Sequence, residues 1–218
     1  MISYRALIVL MLTLLVAVST ALAQDAGMRG KSCIEIEFGL WNEMKAGNEL
    51  TPAGVTSAAK SSGFLGGLSY SYWLRERVAL TLTTGVIAGE ASSSVIFSGL
   101  IEQRTSSVIP ILLGMKYYLL EPEPGEAVRP YVAAAVGSFL GFEASSSIFS
   151  QSAHSESALG ARVGAGVDFL VASWLKLGAS VGYNTMTDFR TPVGARSNYS
   201  GPDFSLGIGF LFGGLHSD

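Results

Sequence analysis

From Leu159 to Phe169 the chain alternates with a period of two. Leu159, Ala161, Val163, Ala165, Val167 and Phe169 hold one parity, and Gly160, Arg162, Gly164, Gly166 and Asp168 hold the other. Successive side chains of a strand point to opposite faces, so this segment is a strand with one oily face and one face of small or charged residues. The next segment repeats the pattern, with Leu175, Leu177, Ala179, Val181 and Tyr183 against Lys176, Gly178, Ser180, Gly182 and Asn184. Only Val171 to Ser173 separate the two, which makes them a hairpin. Reflection about Ala172 then sets Asp168 opposite Lys176.

The same period marks eight segments, near residues 33–41, 63–74, 78–89, 105–120, 129–140, 156–170, 174–184 and 203–212. The links between them alternate in length. Arg75 to Arg77, Glu121 to Val128 and Val171 to Ser173 are short, whereas 42–62, 90–104, 141–155 and 185–202 are long. Loops beyond about 12 to 15 residues are uncommon in compact domains, and here they fall at every second connection. The expectation is an all-β fold, an eight-stranded antiparallel up-and-down transmembrane β-barrel with short periplasmic turns and long external loops.

Alternation alone does not say which face meets lipid, since a soluble lipid-carrying barrel turns its apolar parity inward. Composition decides. Only 14% of the 218 residues are charged and 49% are hydrophobic, whereas soluble domains carry about 25% charged residues. The polar parity is mostly Gly, Ala, Ser and Thr, as at Gly114, Gly137, Gly160, Gly164, Gly178, Gly182, Gly207 and Gly209. Small residues suit the crowded interior of an eight-stranded barrel. The other parity, for example Phe204, Leu206, Ile208, Phe210 and Phe212, then faces hydrocarbon, with Tyr70, Tyr72, Tyr117, Tyr131 and Tyr183 as candidates for interfacial belts.

Met1 to Arg5 carries one positive charge, Ala6 to Val18 is apolar apart from Thr13, and Ala21-Leu22-Ala23 offers small residues before Gln24. This reads as a cleaved signal peptide over 1–23, followed by an outer-membrane β-barrel domain over 24–218. The protein is therefore expected in the bacterial outer membrane as an integral protein. Its expected partners are outer-membrane lipid and the barrel-insertion machinery, together with an extracellular ligand or partner met through the loops. A net charge of -3 gives no basic field for nucleic acid. A single cysteine, Cys33, excludes an internal disulfide framework and reads as a buried thiol.

Parity places Glu35, Glu37, Lys116, Arg162, Asp168 and Lys176 in the lumen, acids balanced by bases. Isolated buried charges are very costly, so a paired network that plugs the barrel is the natural reading, with a gated or conducting lumen as the alternative.

Three stretches resemble the bacterial outer-membrane β-barrel domain family, a superfamily that includes the OmpA-like transmembrane domains. They are Pro110-Ile111-Leu112-Leu113-Gly114-Met115-Lys116-Tyr117-Tyr118, Arg129-Pro130-Tyr131-Val132-Ala133-Ala134-Ala135-Val136-Gly137, and Gly164-Ala165-Gly166-Val167-Asp168-Phe169. The resemblance implies an eight-stranded barrel and no particular activity. Such barrels usually end on an aromatic residue, whereas here Gly213 to Asp218 follow Phe212. Within the chain, Glu90-Ala91-Ser92-Ser93-Ser94-Val95-Ile96-Phe97-Ser98 returns as Glu143-Ala144-Ser145-Ser146-Ser147-Ile148-Phe149-Ser150. Both copies are expected to open long loops on neighbouring hairpins. Val95, Phe97, Ile148 and Phe149 would form an external cluster, the best candidate contact surface for a partner.

Catalytic signals are weak. Gly178-Ala179-Ser180-Val181-Gly182 matches the nucleophile-elbow pattern but lies mid-strand, away from the strand-to-helix turn that chemistry needs. His154 is the more serious candidate, because some outer-membrane enzymes that trim lipid A place a His and a Ser on a strand's outer face near the rim. On a strand His154 and Glu156 share a side while Ser155 points away. With His216 as the only other histidine, no imidazole metal cluster forms. The sequence thus points to a non-enzymatic barrel presenting extracellular loops, without cofactor, metal or catalytic residues. A deacylase-type lipid-modifying enzyme and a small channel or apolar-ligand transport barrel are the alternatives.

Overall fold

The computed structural model describes residues 27–42, 62–95, 101–120, 127–146, 151–194 and 196–213. Eight strands follow in order: β1 Lys31–Asn42, β2 Ser62–Arg75, β3 Val78–Val95, β4 Ile101–Tyr118, β5 Val128–Ser146, β6 Gln151–Ala172, β7 Leu175–Met186 and β8 Gly201–Gly213. Each pairs antiparallel with the next, and β8 returns to β1 through pairs such as Ile36↔Ile208, closing the barrel. Closure leaves every barrel strand with a partner on both sides, as a sheet in hydrocarbon requires.

The two parities separate as the residue types demand. Leu159, Val163, Val181, Leu206 and Phe210 stand exposed on the outside, and Asp168, Lys176, Asp203 and Ser205 are buried within. Tyr70, Tyr72, Tyr117 and Tyr183 are exposed on the outer face. Tyr131 is not: it is buried inside, against Tyr118 and Lys116, which corrects its expected place in a belt. It shares the parity of Gly137, and parity overrides the general preference of tyrosine for the interface.

Two of the expected long loops are largely strand. β3 and β4 stay paired out to Val95↔Ile101, and β5 and β6 out to Ser146↔Gln151. β4 and β5 remain joined as far as Gln103↔Ser146. The alternation of the sequence fades there, yet backbone pairing does not need an apolar parity. β2 stays with β3 only up to Leu65↔Ile87, and β7 with β6 only up to Gly160↔Met186. A four-stranded sheet of β3 to β6 therefore rises past the rim and carries Glu90 to Val95 and Glu143 to Ser146 of the repeat.

The β6–β7 hairpin turns at Ser173 and Trp174. Asp168 therefore faces Gly178, and Lys176 faces Leu170. The reflection about Ala172 was off by two because the turn is centred beyond Ala172, between Ser173 and Trp174, and a one-residue register shift lies between Leu170 and Ala172. A second irregularity lies in β4. Thr84↔Ile111 and Ile87↔Val108 share one register, yet the pairs between them, at Gly85 and Val86, are not made. Pro110 has no N–H for Gly85's carbonyl, and that single missing bond breaks both pairs.

Candidate functional site

The interior is built in layers, beginning at the end with the short turns. There Met28, Cys33, Trp73, Ala79, Tyr118, Tyr131, Leu170 and Leu211 form an apolar cluster. Trp73 stacks on Tyr118 with ring centroids 6.0 Å apart. Arg129 lies over the other side of this layer, 4.6 Å from the Tyr118 ring, and its Nη2 donates to the Glu76 carbonyl at 2.7 Å.

Above the cluster sit the ions. Lys176 Nζ donates to Glu35 Oε2 at 2.8 Å and to Asp168 Oδ2 at 3.0 Å. Lys116 Nζ reaches the same Glu35 oxygen at 3.3 Å, and Tyr118 Oη donates to Asp168 Oδ2 at 2.8 Å. Glycine makes room for this. A Cβ on Gly178 would stand 2.6 Å from Glu35 Oε1, and one on Gly207 would collide with the same oxygen.

One step further, Arg162 grips Asp203 with two parallel bonds, Nη2 to Oδ1 at 2.6 Å and Nε to Oδ2 at 3.1 Å. Bidentate pairing of this kind is among the stronger charge-assisted contacts. Asn184 Nδ2 adds a bond to Asp203 Oδ2 at 2.7 Å. Glu37 accepts from Ser205 Oγ at 3.4 Å and faces two small cavities, each of about 30 Å³, which it shares with Thr83, Leu112 and Arg162. Each has room for about one water molecule.

The far end is closed by apolar side chains again: Trp41, Ile87, Val108, Leu112, Phe139, Ala158 and Met186, with Phe189, Val193 and Tyr199 folded in from the β7–β8 connection. That connection is tied down by its own bonds. Tyr199 Oη donates to the Val193 carbonyl at 2.6 Å, Phe189 N–H to Ser197 O at 2.7 Å, and Met186 N–H to Ser200 Oγ at 3.0 Å. Gly194, at φ +67°, permits the reversal and gives its N–H to Glu143 Oε2 at 2.6 Å.

The six lumen candidates thus divide into two groups. Glu35, Lys116, Asp168 and Lys176 share one set of contacts, Arg162 pairs elsewhere, and Glu37 lies between them. Sequence reasoning missed Asp203 and Arg129, although parity with Ser205 and Gly137 would have placed both inside. It also missed the apolar plug from the β7–β8 connection, where no periodicity flags a buried residue. Phe97, Ile148, Phe149 and the side chain of Val95 lie outside the described residues, as does the segment 1–26. His154, itself exposed, has Nε2 3.1 Å from Glu156 Oε1 and shares the strand parity of buried Ala158, while Ser155 is exposed on the opposite parity.

In solved structures the same architecture recurs. Ail, the attachment invasion locus protein of Yersinia pestis, superposes with a TM-score of 0.52 at 18% identity, over 85% of this chain and 100% of that one. The N-terminal β-barrel domain of Pseudomonas aeruginosa OprF gives 0.50 at 19% identity, over 84% and 98%. Neisserial surface protein A gives 0.51 at 15% identity, over 85% and 97%. At these identities the likeness is one of fold. No curated protein matches the chain in sequence. The family model for the outer membrane protein beta-barrel domain matches residues 9–212, from ahead of β1 to the last turn of ladder in β8. An oily outside, a closed ladder and that match together mean that the chain belongs to the outer membrane protein beta-barrel domain family and resides in the bacterial outer membrane.

Proposed function

We propose that this protein is a non-enzymatic outer-membrane scaffold: a sealed barrel that holds a four-stranded extracellular sheet, and the connections around it, where a partner reaches them. The observation that carries this reading is the filled lumen. Ion pairs occupy its middle, aromatic and aliphatic side chains occupy both ends, and the cavities between are of water size. Among the described residues no ring of one charge sign lines a path, as ion selectivity built on side chains would need. His154 and Ser155 lie on opposite parities of β6, and this lends no support to a His–Ser pair for lipid-trimming chemistry on the outer face.

The described parts of the Ser-rich copies, Glu90 to Val95 and Glu143 to Ser146, lie on β3 and β5 of the protruding sheet, and the apolar residues Val95, Phe97, Ile148 and Phe149 remain our candidates for partner contact. We also infer that residues 1–23 are removed on export, from the charged start, apolar run and small residues before Gln24. The test is electrical. Refolded protein in planar bilayers is expected to pass no steady current, and a stable open-channel current would replace the scaffold with a channel.

A further inference from the structure

β6 outlasts its neighbour on one side. It runs from Gln151 to Ala172 and keeps β5 beside it from Gln151 to Phe169 without a register shift. β7 leaves it at Gly160↔Met186. One further pair of bonds follows, in which Thr187 N–H donates to the Leu159 carbonyl at 2.8 Å and Leu159 N–H to Thr187 Oγ1 at 3.2 Å. The chain after β7 then turns inward and carries Phe189 into the apolar plug. Among the described residues none pairs with β6 beyond Leu159 on that side.

Those two bonds fix which groups the edge presents. Leu159 turns both its N–H and its C=O toward β7, and in an antiparallel ladder every second residue does the same. Ser157, Ser155 and Ala153 therefore direct theirs out of the same edge, and all three residues are exposed. Their neighbours in sequence bond to β5. Natural sheet edges are blunted by proline, lysine, bulges or shortness. Ala153 to Ser157 contains no proline or lysine, and its ladder with β5 carries no bulge. On the other parity stand His154 and Glu156, with Nε2 and Oε1 3.1 Å apart.

A row of donors and acceptors at this spacing is matched by the backbone of another extended chain. A helix does not match it, because its backbone groups bond internally. A carboxylate at Glu156 favours a cation at the position facing it across the new pair. We propose that the open edge of β6, Ala153 to Ser157, is a docking strand for an extended segment of a partner protein, one that sets a basic side chain beside Glu156. The inference rests on the scaffold reading above and names the kind of partner and where it binds.

The test uses the isotope-labelled full barrel refolded in micelles, with two probes: a short peptide of alternating threonine and lysine, and one of alternating threonine and glutamate. Amide exchange at Ser155 and Ser157, followed by NMR, is expected to slow by about tenfold with the lysine peptide and by less with the glutamate peptide. Ser155→Pro removes an edge donor without removing a bond to β5 and should abolish the slowing at Ser157. If that variant folds poorly, Ser155→Lys, which blunts the edge with a charge that repels the lysine peptide, carries the test. Phe142→Ser, at an exposed position of β5, should leave the slowing unchanged. No slowing with either peptide, or equal slowing in the Ser155 variants, would overturn the docking strand. Slowing that needs no peptide and grows with barrel concentration would assign the edge to a second copy, and would overturn it too. None of these outcomes bears on the sealed lumen, which the bilayer current tests separately.

Discussion

Lys176 holds the buried ions together. Its side chain is fully enclosed, and its ammonium serves two carboxylates, Glu35 and Asp168. Removing one member of a buried set leaves its partners charged and unpaired, at a cost of about 3 to 5 kcal/mol. Lys116 is placed differently, because Glu35 keeps Lys176 when Lys116 is gone, and the loss is then that of one charged hydrogen bond, about 2 kcal/mol. Lys176→Met is therefore expected to lower the urea midpoint of the refolded barrel in detergent, followed by heat-modifiable gel mobility, more than Lys116→Met does. Equal shifts would mean that the two lysines share Glu35 evenly, against distances of 2.8 and 3.3 Å. Asn184 and Ser180 extend the neighbouring Arg162–Asp203 pair: Asn184 donates to the Asp203 Oδ2 that also accepts from Arg162 Nε, and Arg162 Nη2 donates to Ser180 Oγ as well as to Asp203 Oδ1.

Among the elements, β8 and β4 make opposite points. β8 alternates cleanly, with Phe204, Leu206, Ile208, Phe210 and Phe212 all outside. Leu206 pairs with Phe38 and Ala179 in the middle of the wall, whereas Phe212 sits near the periplasmic end beside Ser32. Leu206→Arg is expected to cost about 2 to 4 kcal/mol and Phe212→Arg about 0 to 1, because the penalty follows depth in the bilayer. Unfolding titrations in lipid vesicles would show it, and equal costs at both sites would contradict the assigned depth. In β4, Pro110→Val returns the missing N–H to Gly85's carbonyl and is expected to stabilise the barrel by about 1 kcal/mol, the net value of one hydrogen bond. A lower urea midpoint would instead indicate that the cavity lined by Gly85 and Pro110 already supplies that carbonyl with water. These strands also show what the sequence carries and what it does not. Period two reveals a strand wherever lipid lies on one side, so all eight elements were legible from residues such as Leu159 to Phe169. It is silent for Ala91 to Val95 and Ser145 to Ser146, where the residue types do not alternate and the strand is seen in its ladder. Parity turns Glu35, Lys116 and Arg162 toward the axis, but which ion meets which depends on strand stagger and on the bulge near Ala172, neither of which leaves a mark in composition.

At the scale of the whole molecule, the sealed barrel we propose would be closed redundantly. The extracellular mouth is stopped by Phe189, Val193 and Tyr199, and Glu143 ties down Gly194 in the same connection. Below it, Arg162–Asp203 and the Glu35 network cross the lumen at two further heights. The layers share strands, β6 giving Ala158, Arg162 and Asp168 to successive ones, but their side chains make separate contacts at different heights, so loss of one need not disturb the next. A Phe189→Ser, Tyr199→Ser double variant removes aromatic area from the upper plug and leaves the ions in place. Its β7–β8 connection is expected to be cut by trypsin at Arg190 or Arg196 faster than in the wild type, since the apolar contacts that hold the segment down are gone. In planar bilayers the same variant is expected to remain silent, because water and ions reaching Met186 would still meet the guanidinium and carboxylate groups packed beneath. Rapid cleavage with no current is the signature of stacked seals. Steady current from this variant would mean that the ion layers leak and that the external connection alone holds the barrel shut.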